Sequence, residues 1–180
     1  MSGHNKWSKI KHKKGAEDAK KSKVFSMLAR TIAIESKAAK GDANSPRVRA
    51  VVEKARKSNM PKENIERAIA KGAGTGGEAY EAVRYEGYGP GGVALIVEGI
   101  TDNPNRTSQE IKHIFTKRGY ALGTPGSAAW AFEHKEVEGS ISWVPNSTIP
   151  LSDEDGEKLG VLVDELDEHN DIENVFTNAS

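Results

Sequence analysis

Gly72-Ala73-Gly74-Thr75-Gly76-Gly77-Glu78-Ala79 divides the chain. On its N-terminal side apolar residues recur at helical spacing, and beyond it they alternate as in strands. The octapeptide therefore reads as a hinge between an all-helical part and a part that contains strands. Charge changes sign at the same place. Residues 1–71 hold 19 Lys and Arg against 7 Asp and Glu (19 − 7 = +12), and residues 72–180 hold 7 against 19 (7 − 19 = −12). The neutral sum over 180 residues conceals a strongly basic part tethered to an acidic one. Like charges crowded on one part repel one another, and a polyanion relieves them, so nucleic acid is the partner this distribution favours.

Upstream of the hinge, Val24, Phe25, Leu28 and Ile32 predict a helix over about residues 16–39, stopped at Gly41. Ser45 caps a second helix with Pro46 at its first position, where the missing N–H costs nothing. Val48, Val51, Val52 and Ala55 form its inward stripe. Pro61 opens a third helix, with Ile65 and Ile69 inward and Gly72 at its end.

Downstream, residues 80–86 and 93–100 read as strands joined by Gly87-Tyr88-Gly89-Pro90-Gly91-Gly92. Thr107, with Glu110 three residues on, reads as a capping box. The helix it opens buries Ile111, Ile114 and Phe115 and ends at Gly119. Further strands are expected at about residues 128–133, 140–144 and 172–177. A helix over 153–169 buries Leu159, Leu162, Val163 and Leu166. The fold class is α+β: an N-terminal three-helix domain (residues 1–74) followed by an α+β sandwich (residues 80–180), an antiparallel sheet with two helices on one face.

Composition, 36% hydrophobic and 29% charged, suits a folded soluble protein, and no run is long and apolar enough to span a membrane. No secretory signal is read at the N-terminus, and the cytoplasm is the expected location. The chain has no cysteine, which excludes disulfides, thiolate metal sites and cysteine nucleophiles. The histidines His4, His12, His113, His134 and His169 show no metal-ligand pairing, and neither HExxH nor GxSxG occurs. No catalytic residue, metal, cofactor or small-molecule substrate is expected, and the protein reads as a non-enzyme.

The strongest functional signal is the arm Gly3-His4-Asn5-Lys6-Trp7-Ser8-Lys9-Ile10-Lys11-His12-Lys13-Lys14 and its continuation through Lys20, Lys21 and Lys23. Lysines neutralise phosphates and release condensed counterions, and Trp7 offers a face on which a base can stack. A solvated lysine tail would have the same composition. The position of Lys14 and Lys21 on the inward stripe of the first helix separates the two readings, because lysines at core positions imply that this helix start projects beyond the bundle. Two loops are candidate secondary contacts: Tyr88-Gly89-Pro90-Gly91, and Asn103, Asn105 and Arg106. Locally each reads first as a turn.

These stretches carry a resemblance. Gly3-His4-Asn5-Lys6-Trp7, Lys11-His12-Lys13-Lys14, Asn59-Met60-Pro61-Lys62-Glu63-Asn64-Ile65-Glu66-Arg67-Ala68-Ile69 and Tyr85-Glu86-Gly87-Tyr88-Gly89-Pro90-Gly91-Gly92 resemble the YebC/PmpR family. So do Asp102-Asn103 with Asn105-Arg106-Thr107, and Leu122-Gly123 with Gly126-Ser127. The resemblance implies a helical domain followed by α+β domains and a non-enzymatic role in gene expression. The family's labels point to two nucleic acids: duplex DNA for a transcriptional regulator, and ribosomal RNA for a translational activator. The RNA-bound translation factor is the preferred expectation and the DNA-binding regulator its alternative. Family members carry a further α+β domain inserted where this chain has only about residues 133–139, and they often have arginine where Pro104 stands here.

Overall fold

The computed structural model of the protein describes residues 16–75, 79–137 and 140–180. Three helices come first: α1 (Ala16–Ala38), α2 (Pro46–Lys57) and α3 (Lys62–Gly72). Ser45 is the N-cap of α2 and Pro46 its first residue. Gly41 follows α1 with a φ of 84° and donates its N–H to Ser36 O at 2.8 Å, a left-handed turn that glycine tolerates without a Cβ penalty. Pro61 is the N-cap of α3 rather than its first helical residue, and its carbonyl accepts from Asn64 and Ile65.

Leu28, Ile32, Val48, Val52, Ala55, Met60, Ile65 and Ala68 make the core of this unit, with Phe25, Val51 and Ile69 packed partly buried against it. Helices α1 and α3 approach closely. A Cβ on Gly72 would lie 2.2 Å from Ala33 O, and Ser36 Oγ donates to Ile69 O at 2.8 Å. The compact unit built on these helices extends through Val83 and includes Ile100–Pro104. Tyr80 belongs to it: Lys71 Nζ sits 3.9 Å from its ring centroid and the Arg30 guanidinium 5.9 Å away.

The other unit comprises Arg84–Gly99 and Asn105–Ser180 among its described residues. Its elements are β1 (Glu81–Tyr88), β2 (Ala94–Thr101), α4 (Pro104–Lys117), β3 (Ala121–Leu122), β4 (Phe132–Val137), β5 (Ser140–Pro145), α5 (Asp153–Glu168) and β6 (Ile172–Thr177). Four strands form one sheet in the order β3-β1-β2-β6, and β4 and β5 form a separate antiparallel pair. The class is α+β, as the alternation of residues predicted. Along β2 the side chains take opposite faces, as a period of two requires. Val93, Leu95 and Val97 pack with Ile111, Ile114 and Phe115 of α4 and with Leu159, Leu162, Val163 and Leu166 of α5. Ala94 and Ile96 face the other way, against Ala128, Ala131 and Phe132. Gly99 sits where β2 and β6 shift register, and its own Cβ would fall 2.0 Å from Asp171 O.

Three expectations are corrected. The stretch 128–133 is not one strand: Ala129–Ala131 form a 3-10 turn, and β4 begins only at Phe132. The buried carboxylate of Glu86 binds the N–H groups here, so they are unavailable to a sheet partner. Helix α4 begins at Pro104, so Thr107 lies within it, and its hydroxyl donates to Asp171 Oδ2 at 2.7 Å instead of capping. Val24, expected to face inward on α1, is 42% exposed.

Candidate nucleic-acid interface

The arm residues Lys6, Trp7, Lys9, Lys11, His12, Lys13 and Lys14 lie outside the described residues. Their continuation does not. Lys20, Lys21, Ser22, Val24 and Ser26 are exposed and Lys23 is half-buried, whereas full burial on α1 starts only at Leu28. The early turns of the helix thus contribute little to the core, and Lys21 Nζ lies 5.9 Å from the Phe25 ring. Lys21, on the inward stripe, is among the exposed residues, and Lys14, the other lysine of that stripe, lies outside the described residues.

Past these turns some cations of the bundle are within ion-pair reach of a carboxylate and others are not. Arg47 pairs with Glu35 (3.9 Å), Lys57 with Glu53 (3.1 Å) and Lys62 with Glu66 (3.5 Å). Arg49, Lys54, Arg56 and Arg67 are exposed and have no carboxylate partner among the described residues.

The secondary loops are more occupied than their sequence suggested. Tyr88 donates its hydroxyl to Ser127 O and accepts from Trp130 Nε1 at 3.0 Å. Gly89 and Pro90 are buried, and a Cβ on Gly91 (φ 64°) would meet Leu151 Cδ2 at 2.5 Å and Asp155 Oδ2 at 3.7 Å. The loop packs against the start of α5, whose first turn carries Asp153, Glu154 and Asp155. Of the other three candidates only Asn103 lies in a loop, where its N–H donates to Thr101 Oγ1 at 2.9 Å; Asn105, which is exposed, and Arg106 belong to the first turn of α4. Arg106 gives Nη2 to Asp171 Oδ2 at 2.8 Å and holds Nε 3.8 Å from Glu110 Oε2. The arginine expected to meet a phosphate already serves a buried carboxylate.

Asp171 is the centre of a closed network. Arg106 and Thr107 donate to its side chain, while its own N–H donates to His169 Nδ1 at 3.1 Å. With Nδ1 accepting, the neutral imidazole carries its proton on Nε2 and directs it to Glu110 Oε2 at 2.9 Å. Ligand-type atoms of Glu110, His169 and Asp171 lie within 4.8 Å of one another, but each is satisfied by hydrogen bonds from its neighbours.

Sequence reasoning passed over two residues. Glu86 is 3% exposed, and its carboxylate accepts from the Gly126, Ala128 and Ala129 N–H groups at 2.9, 2.9 and 2.8 Å. Burial alone would push this carboxyl up. The three N–H bonds and the Arg84 guanidinium outweigh that, and its pKa lies below the ordinary value. Trp130, at the end of the loop Glu86 fixes, is 67% exposed although its Nε1 is tied to Ser127 O at 2.9 Å. A carboxylate in an alternating strand gives no pattern that marks it as a loop anchor.

A basic three-helix unit preceding a layered α+β unit defines the class of protein, and the comparisons specify it. Residues 5–75 match the family model described as the TACO1/YebC protein N-terminal domain, and residues 80–139 and 136–179 match its second and third domain. A "Probable transcriptional regulatory protein" of Dictyoglomus thermophilum is 38% identical over 237 positions, covering 99% of this chain and 95% of that one. One of Fervidobacterium nodosum is 38% identical over 235 positions, covering 99% and 93%. A crystal structure of a conserved hypothetical protein from Aquifex aeolicus superposes with a TM-score of 0.84 at 33% identity, covering 97% of this chain and 96% of that one. The chain belongs to the TACO1/YebC family. Its alignment with the Dictyoglomus protein is longer than the chain, so at least 237 − 180 = 57 positions of that relative have no counterpart here.

Proposed function

We propose that this protein is a non-enzymatic, cytoplasmic nucleic-acid-binding regulator of gene expression that acts on ribosomal RNA as a translation factor. The observation that carries the reading is the +12 charge of residues 1–71, carried in part by exposed early turns of α1 and by Arg49, Arg56 and Arg67, which have no carboxylate partner among the described residues. Such a surface binds a phosphate backbone with a strong salt dependence. The grip comprises the arm (Lys6, Trp7, Lys9, Lys11, His12, Lys13, Lys14) and Lys20, Lys21 and Lys23. A lysine arm carrying a tryptophan suits irregular RNA, whose unstacked bases accept an aromatic face. Among the secondary loop residues, Gly91, Asn103 and Asn105 keep exposed atoms for further contact. Residues 1–74 and 80–180 act as separate domains in this reading. The family's inserted domain is reduced in this reading to about residues 133–139, and Val137 and Ser140 are paired in the β4–β5 register.

A second reading, a regulator of transcription on duplex DNA, is favoured by the printed name of the relatives. Crosslinking the protein to nucleic acid in growing cells and sequencing what is attached tests both. Enrichment of ribosomal RNA at a defined place supports the translation factor. Discrete promoter DNA replaces that reading with the second, and no enriched nucleic acid removes both.

A further inference from the structure

We infer that Arg49 and Arg56 on the outer surface of α2 form a second phosphate-binding strip, distinct from the lysine arm. The inference rests on the nucleic-acid reading above and names where the three-helix unit meets the backbone.

The two arginines are seven residues apart, which on a helix places them within about 20° of each other and about 10.5 Å apart along the axis. Val48, Val52 and Ala55 are buried on the adjoining side of the same helix, about a quarter turn away, so packing holds the backbone that carries the strip. Both side chains are exposed, and neither has a carboxylate partner among the described residues. Their neighbours differ. Arg47 and Lys57 on the same helix are within ion-pair reach of Glu35 and Glu53, and Arg30 lies over Tyr80.

Helix electrostatics explains only half of the pair. Arg56 lies in the last turn of α2, where a cation complements the helix dipole. Arg49 lies near the other end, where the dipole opposes a positive charge, and α2 has no acidic residue in its first turn to offset it. Arg49 is therefore placed against its local field within a unit that is already strongly positive, and an external anion would relieve both. The fork of a guanidinium matches phosphate oxygens in a bidentate way that an ammonium does not. The arm, by contrast, has no arginine before Arg30 and supplies lysine point charges. Lysines give affinity at any phosphate spacing, and a fixed arginine pair gives register.

The test uses the full-length chain and two labelled probes of equal length, an RNA hairpin and a DNA duplex, titrated across a range of salt concentrations. Each duplex phosphate contact contributes about 0.9 to the slope of log K against log salt. Arg49→Ala/Arg56→Ala is expected to flatten that slope by about 1.8 and to weaken binding roughly 50-fold at 0.1 M salt. Lys37→Ala/Lys62→Ala removes the same number of charges from exposed sites on α1 and α3 and is expected to cost much less. Arg49→Lys/Arg56→Lys is expected to restore the slope. If the alanine pair binds like the unaltered protein, if the Lys37/Lys62 pair loses as much, or if the lysine pair leaves the slope flat, the strip is overturned and the proposed function stands. If the unaltered protein binds neither probe, the proposed function fails and the strip with it.

Discussion

The two units use charge in opposite directions. In the α+β unit ionised groups are turned inward or clamped: Glu86 holds three backbone N–H groups, Asp171 binds Arg106 and Thr107, and Glu165 takes Lys117 at 2.8 Å and Arg118 at 2.8 Å. Glu98 accepts the indole N–H of Trp143 at 2.8 Å. In the helical unit the packing is almost wholly apolar, and Arg49, Lys54, Arg56 and Arg67 point outward with no carboxylate partner among the described residues. The difference separates two roles for the same chemistry. Charge that the fold consumes builds architecture, and charge that the fold leaves unmatched is available to a partner.

Substituting a consumed charge breaks this contrast most sharply. Glu86→Ala leaves three N–H donors of the 126–129 segment without their acceptor, two of them in bonds that are only partly buried. Each unsatisfied buried donor costs roughly 1–3 kcal/mol, so a loss of about 3–5 kcal/mol is expected in urea unfolding. Trp130 fluorescence should shift with it, since the loop that presents the ring loses its anchor. A loss below about 1 kcal/mol would mean that water replaces the carboxylate readily and that Glu86 is not architectural.

The apolar counterpart lies in the helical unit. Gly72→Ala places a Cβ 2.2 Å from Ala33 O and 2.6 Å from Ser36 Cβ, so α1 and α3 must separate. Overpacking of this kind costs about 1–3 kcal/mol. Reduced helical circular dichroism at an unchanged α+β transition would confirm that this unit depends on close helix approach. An unaffected helical signal would show that the approach is slack.

The pH dependence of the α+β unit provides a finer distinction. The folded-state pKa of Glu86 lies below its ordinary value of 4.5, so its contribution is complete above that value. As pH falls from about 4.5 through the folded pKa, protonation removes that contribution and stability declines. Glu86→Gln should abolish this part of the acid dependence. A variant that keeps the full acid slope would assign the slope to other carboxylates.

How much of this was legible in the sequence follows from the range of the interactions involved. Ser45-Pro46, Gly41, Gly119 and the stripes of α2, α4 and α5 act within a turn or two, and their residues announce them. Thr107 and Glu110 have the spacing of a capping box, yet Pro104 already starts the helix and Asp171, distant in sequence, claims the threonine hydroxyl. The 128–133 segment has strand composition, but Glu86, some forty residues earlier, takes its N–H groups. Each error comes from one carboxylate acting across the fold, Asp171 in the first case and Glu86 in the second, which no local pattern encodes. The candidate interface shows the same division. Lysines on the inward stripe of α1 reveal its exposed beginning, whereas the isolation of Arg49 and Arg56 is visible only once Glu35, Glu53 and Glu66 are seen to pair elsewhere.

The smallest expected effect is the one that most directly tests whether the outward charge belongs to the fold. Arg49→Ala/Arg56→Ala removes two exposed cations with no carboxylate partner among the described residues, so no ion pair is lost. Surface changes of this type stay within about 0.5 kcal/mol. The direction is also determined. Arg49 opposes the dipole of α2 and Arg56 complements it, so these two effects largely cancel, while alanine has the highest helix propensity and the unit loses self-repulsion, so the variant should be equal to or slightly more stable than the parent. The gain should shrink as salt rises, because at 0.1 M ionic strength charges more than about 10 Å apart are already largely screened. Chemical unfolding at low and high salt measures this. A clear destabilisation that persists in high salt would mean that these arginines pack through their aliphatic stems and belong to the architecture, and the contrast between the two units would then no longer hold on α2.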